Sequence, residues 1–316
     1  MRGVIGRIAD IRRSGFSPAA HRSICIAALV LLSAIVVTGA AVRLTGSGLG
    51  CDDWPNCNGT TFIDVSNQHA AIEQVNRLFT FLVSIGVALA AAAAWFRQPR
   101  RRDLTRLGFA LLLGVPAQGV VGAIVVWSGL HPATVQLHMV LSMVLVWAAV
   151  MLLVRSGDPD EGVRVVAVEP PVRRLVQLLA VMTGVVVVAG TVVTGTGPHA
   201  GDEEARRFFG STDDIDGDAL KWVTRIHGTL VWLTVLVALL LFVALRRRPD
   251  DRRRLDAPLT AWVITAVVQG TVGYVQYAAG LPVGLVLVHM AGVTVLVGVT
   301  AWMWWATTEV RPGAAP

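Results

Sequence analysis

Two stretches of the chain decide how it is read: residues 118–139, QGVVGAIVVWSGLHPATVQLHM, and residues 269–290, QGTVGYVQYAAGLPVGLVLVHM. They stand 151 residues apart. Each begins Gln-Gly, carries Gly-Leu in the middle and ends His-Met. The same offset pairs Gly39 with Gly190, Val42 with Val193, Gly46 with Gly197 and Gly122 with Gly273. It also pairs Val144-Leu145-Val146 with Val295-Leu296-Val297. Apolar matches arise by chance in such a chain, but paired Gln-Gly, Gly-Leu and His-Met at one undrifting offset do not. The reading is a duplication, with one half in residues 1–160 and the other in 161–316.

The composition says what each half is made of. Of 316 residues, 54% are hydrophobic and 15% charged, and the mean hydropathy is +0.63. Soluble domains carry about 25% charged residues. Three cysteines exclude a disulfide scaffold, and the apolar fraction excludes disorder. A pI near 10.2 suggests nucleic acid. However, Lys221 is the only lysine, and the arginines cluster between long apolar runs, so no nucleic-acid partner is expected.

Eight uncharged runs are long enough to cross a bilayer, which takes about 20 apolar residues as a helix. They are Ser23–Val42, Leu78–Phe96, Leu107–Leu130, Pro132–Val154, Leu175–Thr196, Ile226–Leu245, Ala257–Tyr277 and Pro282–Thr308. The alternating short runs of a barrel are missing. The fold class is therefore an all-α polytopic membrane protein, with eight transmembrane helices as two homologous four-helix bundles. Four is even, so both halves point the same way and their pseudo-twofold runs along the membrane normal.

Orientation follows from the arginines. Arg2, Arg7, Arg12, Arg13 and Arg22 precede the first run; Arg97, Arg100–Arg102 and Arg106 lie between the second and third. Arg155, Arg164, Arg173 and Arg174 follow the fourth, and Arg246–Arg248 and Arg252–Arg254 follow the sixth. The connection Thr45–Ile72 has no basic residue, and Gly195–Leu220 has Arg206 and Arg207 among seven acidic ones. Both termini are expected in the cytoplasm. The first run is long for a signal peptide, and the repeat gives it a counterpart. The arginine clusters read as topology signals, and the acidic loop 202–218 as solvated surface. Arginine-rich, lysine-poor usage points to a GC-rich bacterium and its cell membrane.

Seven histidines are present. His21, His69, His131 and His199 sit at span ends or in loops and read as structural. His138, His227 and His289 lie inside even-numbered spans, about six residues or roughly 9 Å from the outer end. Ionisable groups there are costly and mark function, against the plainer reading of a histidine hydrogen-bonded between helices. The offset sets Asn76 opposite His227, so one half offers His227 and His289 and the other Asn76 and His138. Zinc would need further Cys, His or carboxylate ligands that the second half lacks within its spans. Haem iron needs only axial ligands, and two histidines from a four-helix bundle suit it. Gly119, Gly122, Gly270 and Gly273 would let a flat macrocycle approach, or serve close helix packing. Arg43, Arg77 and Arg225, at outer helix ends, are candidates for propionate carboxylates or for snorkelling to membrane lipid.

Glu73 lies three residues before Asn76 on the same helix face. It suits a base or a stabiliser of positive charge, or simply a helix-dipole partner. Cys51 and Cys57, in Cys-Asp-Asp-Trp-Pro-Asn-Cys, lie on the oxidising side. They form a disulfide over the first-half pocket or exchange as thiols during turnover. Cys25 reads as packing.

Together these residues resemble the haem A synthase family. The resemblance is carried by Val42-Arg43-Leu44-Thr45-Gly46-Ser47-Gly48-Leu49 running into Cys51–Cys57, by Glu73 before Asn76-Arg77, and by the spaced histidines. It extends from about Ile24 to Trp305. It implies oxidation of the C8 methyl of haem O to a formyl, giving haem A for cytochrome oxidase, by two hydroxylations and loss of water. It implies a permanent haem b on His227 and His289, the substrate haem on His138, and Glu73 as the catalytic carboxylate. The implied partners are haem O itself, a haem O synthase (farnesyltransferase) and an electron donor. Two features depart from the family: Asn76 stands where many members have His, and residues 195–220 lack the cysteine pair that some carry. The first departure points to His138 alone on the substrate iron, with an open sixth position. Two other readings use the same residues. A membrane b-type cytochrome relaying electrons has no need of Glu73 or the cysteine loop. A parallel-repeat transporter needs broken helices, and Pro116 alone is weak support.

Overall fold

The computed structural model describes residues 15–202, 205–210 and 217–312. Arg2, Arg7, Arg12 and Arg13, and five of the seven acidic residues within 202–218, lie outside the described residues. Eight helices are long and apolar enough to cross a membrane. They are α1 (Pro18–Leu44), α2 (Gln68–Trp95), α3 (Arg102–Trp127), α4 (Pro132–Ser156), α5 (Pro170–Thr196), α6 (Asp218–Arg246), α7 (Pro249–Ala278) and α8 (Val283–Ala306).

Local chemistry marks where several begin. The Ser17 hydroxyl accepts from Ala20 N at 3.2 Å ahead of Pro18, and the Asn67 amide oxygen accepts from Ala70 N at 2.9 Å. Proline opens α1, α4, α5 and α7, where its fixed φ is preorganised and its missing N–H costs nothing. Several helices start well before the uncharged runs: α6 at Asp218 rather than Ile226, and α2 at Gln68 rather than Leu78. These extra turns hold their own backbone hydrogen bonds while polar side chains reach the membrane surface.

The chain is not wholly helical. Val163–Val166 (β1) and Thr308–Arg311 (β2) form an antiparallel ribbon, with Val163 opposite Arg311 and Val166 opposite Thr308. Thr308, read above as the end of the eighth span, is thus a strand residue. Both segments leave the helices into the polar zone, where unpaired backbone can pair, and β1 is rich in β-branched valine.

Helices α1–α4 pack around Cys25, Ala28, Val87, Leu111 and Leu152. Helices α5–α8 pack around Val176, Leu179, Leu241, Leu255 and Trp262. Between them, α1, α4, α5 and α8 share Val36, Met143, Val146, Val187 and Val297, and Trp147 meets Trp304 edge-on at 5.9 Å. Small residues permit the close approaches, as where Gly108 faces Ala91 across α2 and α3. At the arginine-rich end some arginines also stitch the connections together. Buried Arg97 pairs with Asp160 at 2.6 Å. Arg101 donates to the Arg155 and Asp158 carbonyls, and Arg254 pairs with Glu309 on β2.

Candidate functional site

A cavity of about 2390 Å³ is lined from both bundles and includes residues at the arginine-poor helix ends. Ordinary small-molecule pockets are about 300–1,000 Å³, so this one has room for more than one ligand. Its walls are mostly aliphatic. Its polar lining includes His138 from α4, His227 from α6, His289 from α8, Glu73, Asn76 and Arg77 from α2, Arg43 from α1 and Arg225 from α6.

The three imidazoles share one arrangement. In each, Nδ1 is buried without a side-chain partner, and the residue lines the cavity. Each ring rests on a glycine. A β-carbon on Gly122 would stand 3.6 Å from His138 Cε1, one on Gly190 3.2 Å from His227 Cε1, and one on Gly273 3.4 Å from His289 Cε1. Gln118 Nε2 donates to the His138 carbonyl at 3.1 Å, and Gln269 Nε2 to the His289 carbonyl at 2.8 Å. His227 lies nine residues after Asp218, whereas His138 and His289 each lie six after their helix starts. The expected common spacing of six therefore holds for two of the three, because α6 extends further toward the surface. His227 and His289 are within electrostatic reach of each other.

Asn76 occupies a different environment. Thr38 Oγ1 donates to its Oδ1 at 2.8 Å, tying the amide to α1. Nothing stands within 4 Å of where a Gly39 β-carbon would be. The space that His227 fills over Gly190 in the second half is open over Gly39.

Glu73 is 6% exposed and fully engaged. Its Oε2 accepts from Cys51 N at 2.8 Å, and its Oε1 accepts from Arg77 Nε at 3.0 Å and Nη2 at 2.6 Å. Arg77 also donates to the carbonyls of Asp53 and Asn56 at 3.0 Å and of Cys51 at 3.4 Å. All five of its N–H groups are thus taken, and none is left for a propionate in this conformation. Cys51 and Cys57 are joined in a buried disulfide, with Cα atoms 4.3 Å apart. The pair Glu73–Arg77 holds that loop over the cavity. Ser47 and His69 brace its flanks, Oγ to Nδ1 at 2.9 Å.

The remaining histidines have local partners. His21 Nε2 lies 3.4 Å from Cys25 Sγ, His131 caps α4 through Ala133 N, and His199 Nε2 donates to the Leu281 carbonyl at 2.7 Å. Sequence reading missed Thr38 and the braces from Gln118 and Gln269. The repeat had flagged both glutamines without indicating that they support histidines.

A haem fits this donor set. Among the described residues no three His, Cys, Asp or Glu side chains converge as a metal site, so paired imidazoles suit an iron whose other ligands come from a macrocycle. Gly119, Gly228 and Gly270 line the cavity with nothing within 4 Å of their β-positions, which leaves flat open walls. Gly122 and Gly273, grouped above with these, back the histidine rings instead.

Fold and site together define a multi-pass helical membrane protein with a histidine-lined apolar cavity capped by a disulfide loop. The sequence model of the family described as "Cytochrome oxidase assembly protein" matches residues 22–71 and 61–200, more than half of the chain. The chain belongs to that family. It is 22% identical over 290 residues to a "Heme A synthase" of Staphylococcus epidermidis, covering 88% of this chain and 92% of the relative. With a "Heme A synthase" of Listeria welshimeri it shares 25% over 287 residues, covering 87% and 91%. With that of Lysinibacillus sphaericus it shares 35% over 129 residues, covering 40% and 42%.

Proposed function

We propose that this chain is a haem A synthase, an oxidoreductase that converts the C8 methyl of haem O to a formyl group by two hydroxylations and loss of water. The observation that carries this reading is the placement of Glu73. A buried carboxylate, fixed by Cys51 N–H and Arg77, borders the same cavity as His138. An electron-relaying cytochrome has no use for it.

His227 and His289 would hold a resident haem b, and His138 the substrate haem. A bound haem supplies redox chemistry at its iron. The protein's own residues do the rest. The aliphatic walls exclude water, Glu73 presents a fixed carboxylate to the reacting edge, and the Arg77 clasp keeps the cysteine loop closed above it. Arg225, exposed on the rim, suits a propionate of the haem in the second half. The matched glycine and glutamine supports of His138 and His289 favour duplicated halves, 1–160 and 161–316, related along the membrane normal. The arginine distribution favours both termini on the cytoplasmic side of a bacterial cell membrane. Haem O would arrive from a haem O synthase, and reducing equivalents from a separate donor.

The test is to express the chain in a host with ample haem O, purify it in detergent, and identify the extracted pigments by chromatography and mass. Haem b together with hydroxylated haem or haem A is expected. Haem b alone would favour the electron relay, and no haem would bring back the transporter.

A further inference from the structure

The arginines at the mouth of the cavity are not equivalent. Arg77 has every donor committed to Glu73 and the cysteine loop. Arg225 lies on the exposed rim. Arg43, in the last turn of α1, lines the cavity itself. Its Nε donates to the His199 carbonyl at 3.0 Å, which fixes the plane of the guanidinium. Its two terminal nitrogens have no protein partner among the described residues, and they are not sealed from the cavity. Arg207, whose own guanidinium donates to the Gly197 carbonyl, stands within electrostatic reach. No carboxylate among the described residues forms an ion pair with either. Two guanidinium groups with no paired carboxylate among the described residues, one of them lining an apolar cavity, suit an anionic ligand.

Resting on the haem A synthase reading, we propose that Arg43 anchors a propionate of the substrate porphyrin and thereby selects which edge of the ring is oxidised. The chemistry of the ring gives this consequence. The methyl that becomes a formyl shares its pyrrole with a propionate. A propionate held by Arg43 brings that edge to the outer end of the cavity, where Glu73 lies. It turns the methyls of the opposite edge away. One other methyl also neighbours a propionate, and the apolar isoprenoid tail, confined to the membrane-facing walls, separates the two. Arg43 is a positioning residue in this scheme. Its own position depends on residues 199–201, since Gly48 N also donates to the Gly201 carbonyl at 3.0 Å. His199 ties the same loop to the α7–α8 turn.

The test uses the purified full chain with its resident haem. Ferric protoporphyrin IX and its dimethyl ester are titrated in and followed by Soret absorbance. The wild type should bind the diacid about tenfold more tightly than the ester, the scale of one charge-assisted hydrogen bond. Arg43→Gln should abolish that preference by weakening the diacid alone, and Arg43→Lys should restore part of it. An unchanged resident-haem spectrum confirms folding in each variant. With haem O supplied, Arg43→Gln should also yield oxidation at more than one methyl, resolved by mass and NMR of the extracted pigment. Equal weakening of diacid and ester, or a preference that survives Arg43→Gln, would overturn the proposal. If the wild type binds neither porphyrin, the haem A synthase reading itself falls.

Discussion

Glu73 and Arg77 sit one helical turn apart on α2, and their ion pair faces the cysteine loop rather than lipid. Replacing Glu73 with Gln keeps an acceptor for Cys51 N–H but sets an amide against Arg77. Turnover should fall by about 100-fold or more, the usual range for a positioned acid or base. The resident haem should be retained, as checked by its Soret band. Asn76 carries a second prediction. Its amide is tied to Thr38 and is a poor iron ligand, so the haem on His138 should have an open or weakly held sixth position. Asn76→His should convert that haem to a six-coordinate low-spin form, read by optical and EPR spectra, and slow turnover. Unchanged spin state and turnover would sink the idea. The histidines and Glu73 were legible in the sequence because ionisable groups stand out in apolar runs. The saturation of Arg77 was not, because its partners are backbone carbonyls, which leave no mark in a sequence.

At the scale of elements, α5 and α6 meet where Gly190 backs His227. Gly190→Ala would place a methyl 3.2 Å from the ring, closer than nine in ten real contacts of this kind. The expected outcome is a tilted His227 and a shifted potential or lowered content of the resident haem, measured by redox titration. Gly39→Ala, with open space in front of it, should leave that haem unchanged. At the arginine-rich end, Arg97 is 1% exposed and depends on Asp160 from the α4–β1 connection. Asp160→Asn leaves a buried guanidinium without its counter-charge, at a cost of about 3 kcal/mol. A lower thermal midpoint in detergent is the check. The helix cores were legible from run length alone. Their ends were not, because interfacial turns carry the same polar residues as loops. The β1–β2 ribbon was hidden for another reason: its strands begin 145 residues apart and are four residues each.

At the scale of the whole molecule, the two bundles share one cavity, and this sets the expected stoichiometry. Protein from a host without haem O should carry one haem, lost in both His227→Ala and His289→Ala. Supplying haem O should add a second, lost in His138→Ala. Haem-to-protein ratios from extracted pigment decide this. The same residue giving up both haems would argue against separate sites.

The sequence by itself determined the class, the number of spans, the matched stretches at 118–139 and 269–290, and the few polar side chains to be explained. A bilayer penalises charge so strongly that each such residue is visible against its apolar background. Only the tertiary structure decided which donors remain free for a ligand. It committed Arg77 to the loop, left Arg43 facing the cavity, oriented Asn76 through Thr38, and laid the 195–202 segment across the first half. Those outcomes depend on contacts between residues far apart in the chain. No local period or propensity encodes which of two equal donors finds a carbonyl first.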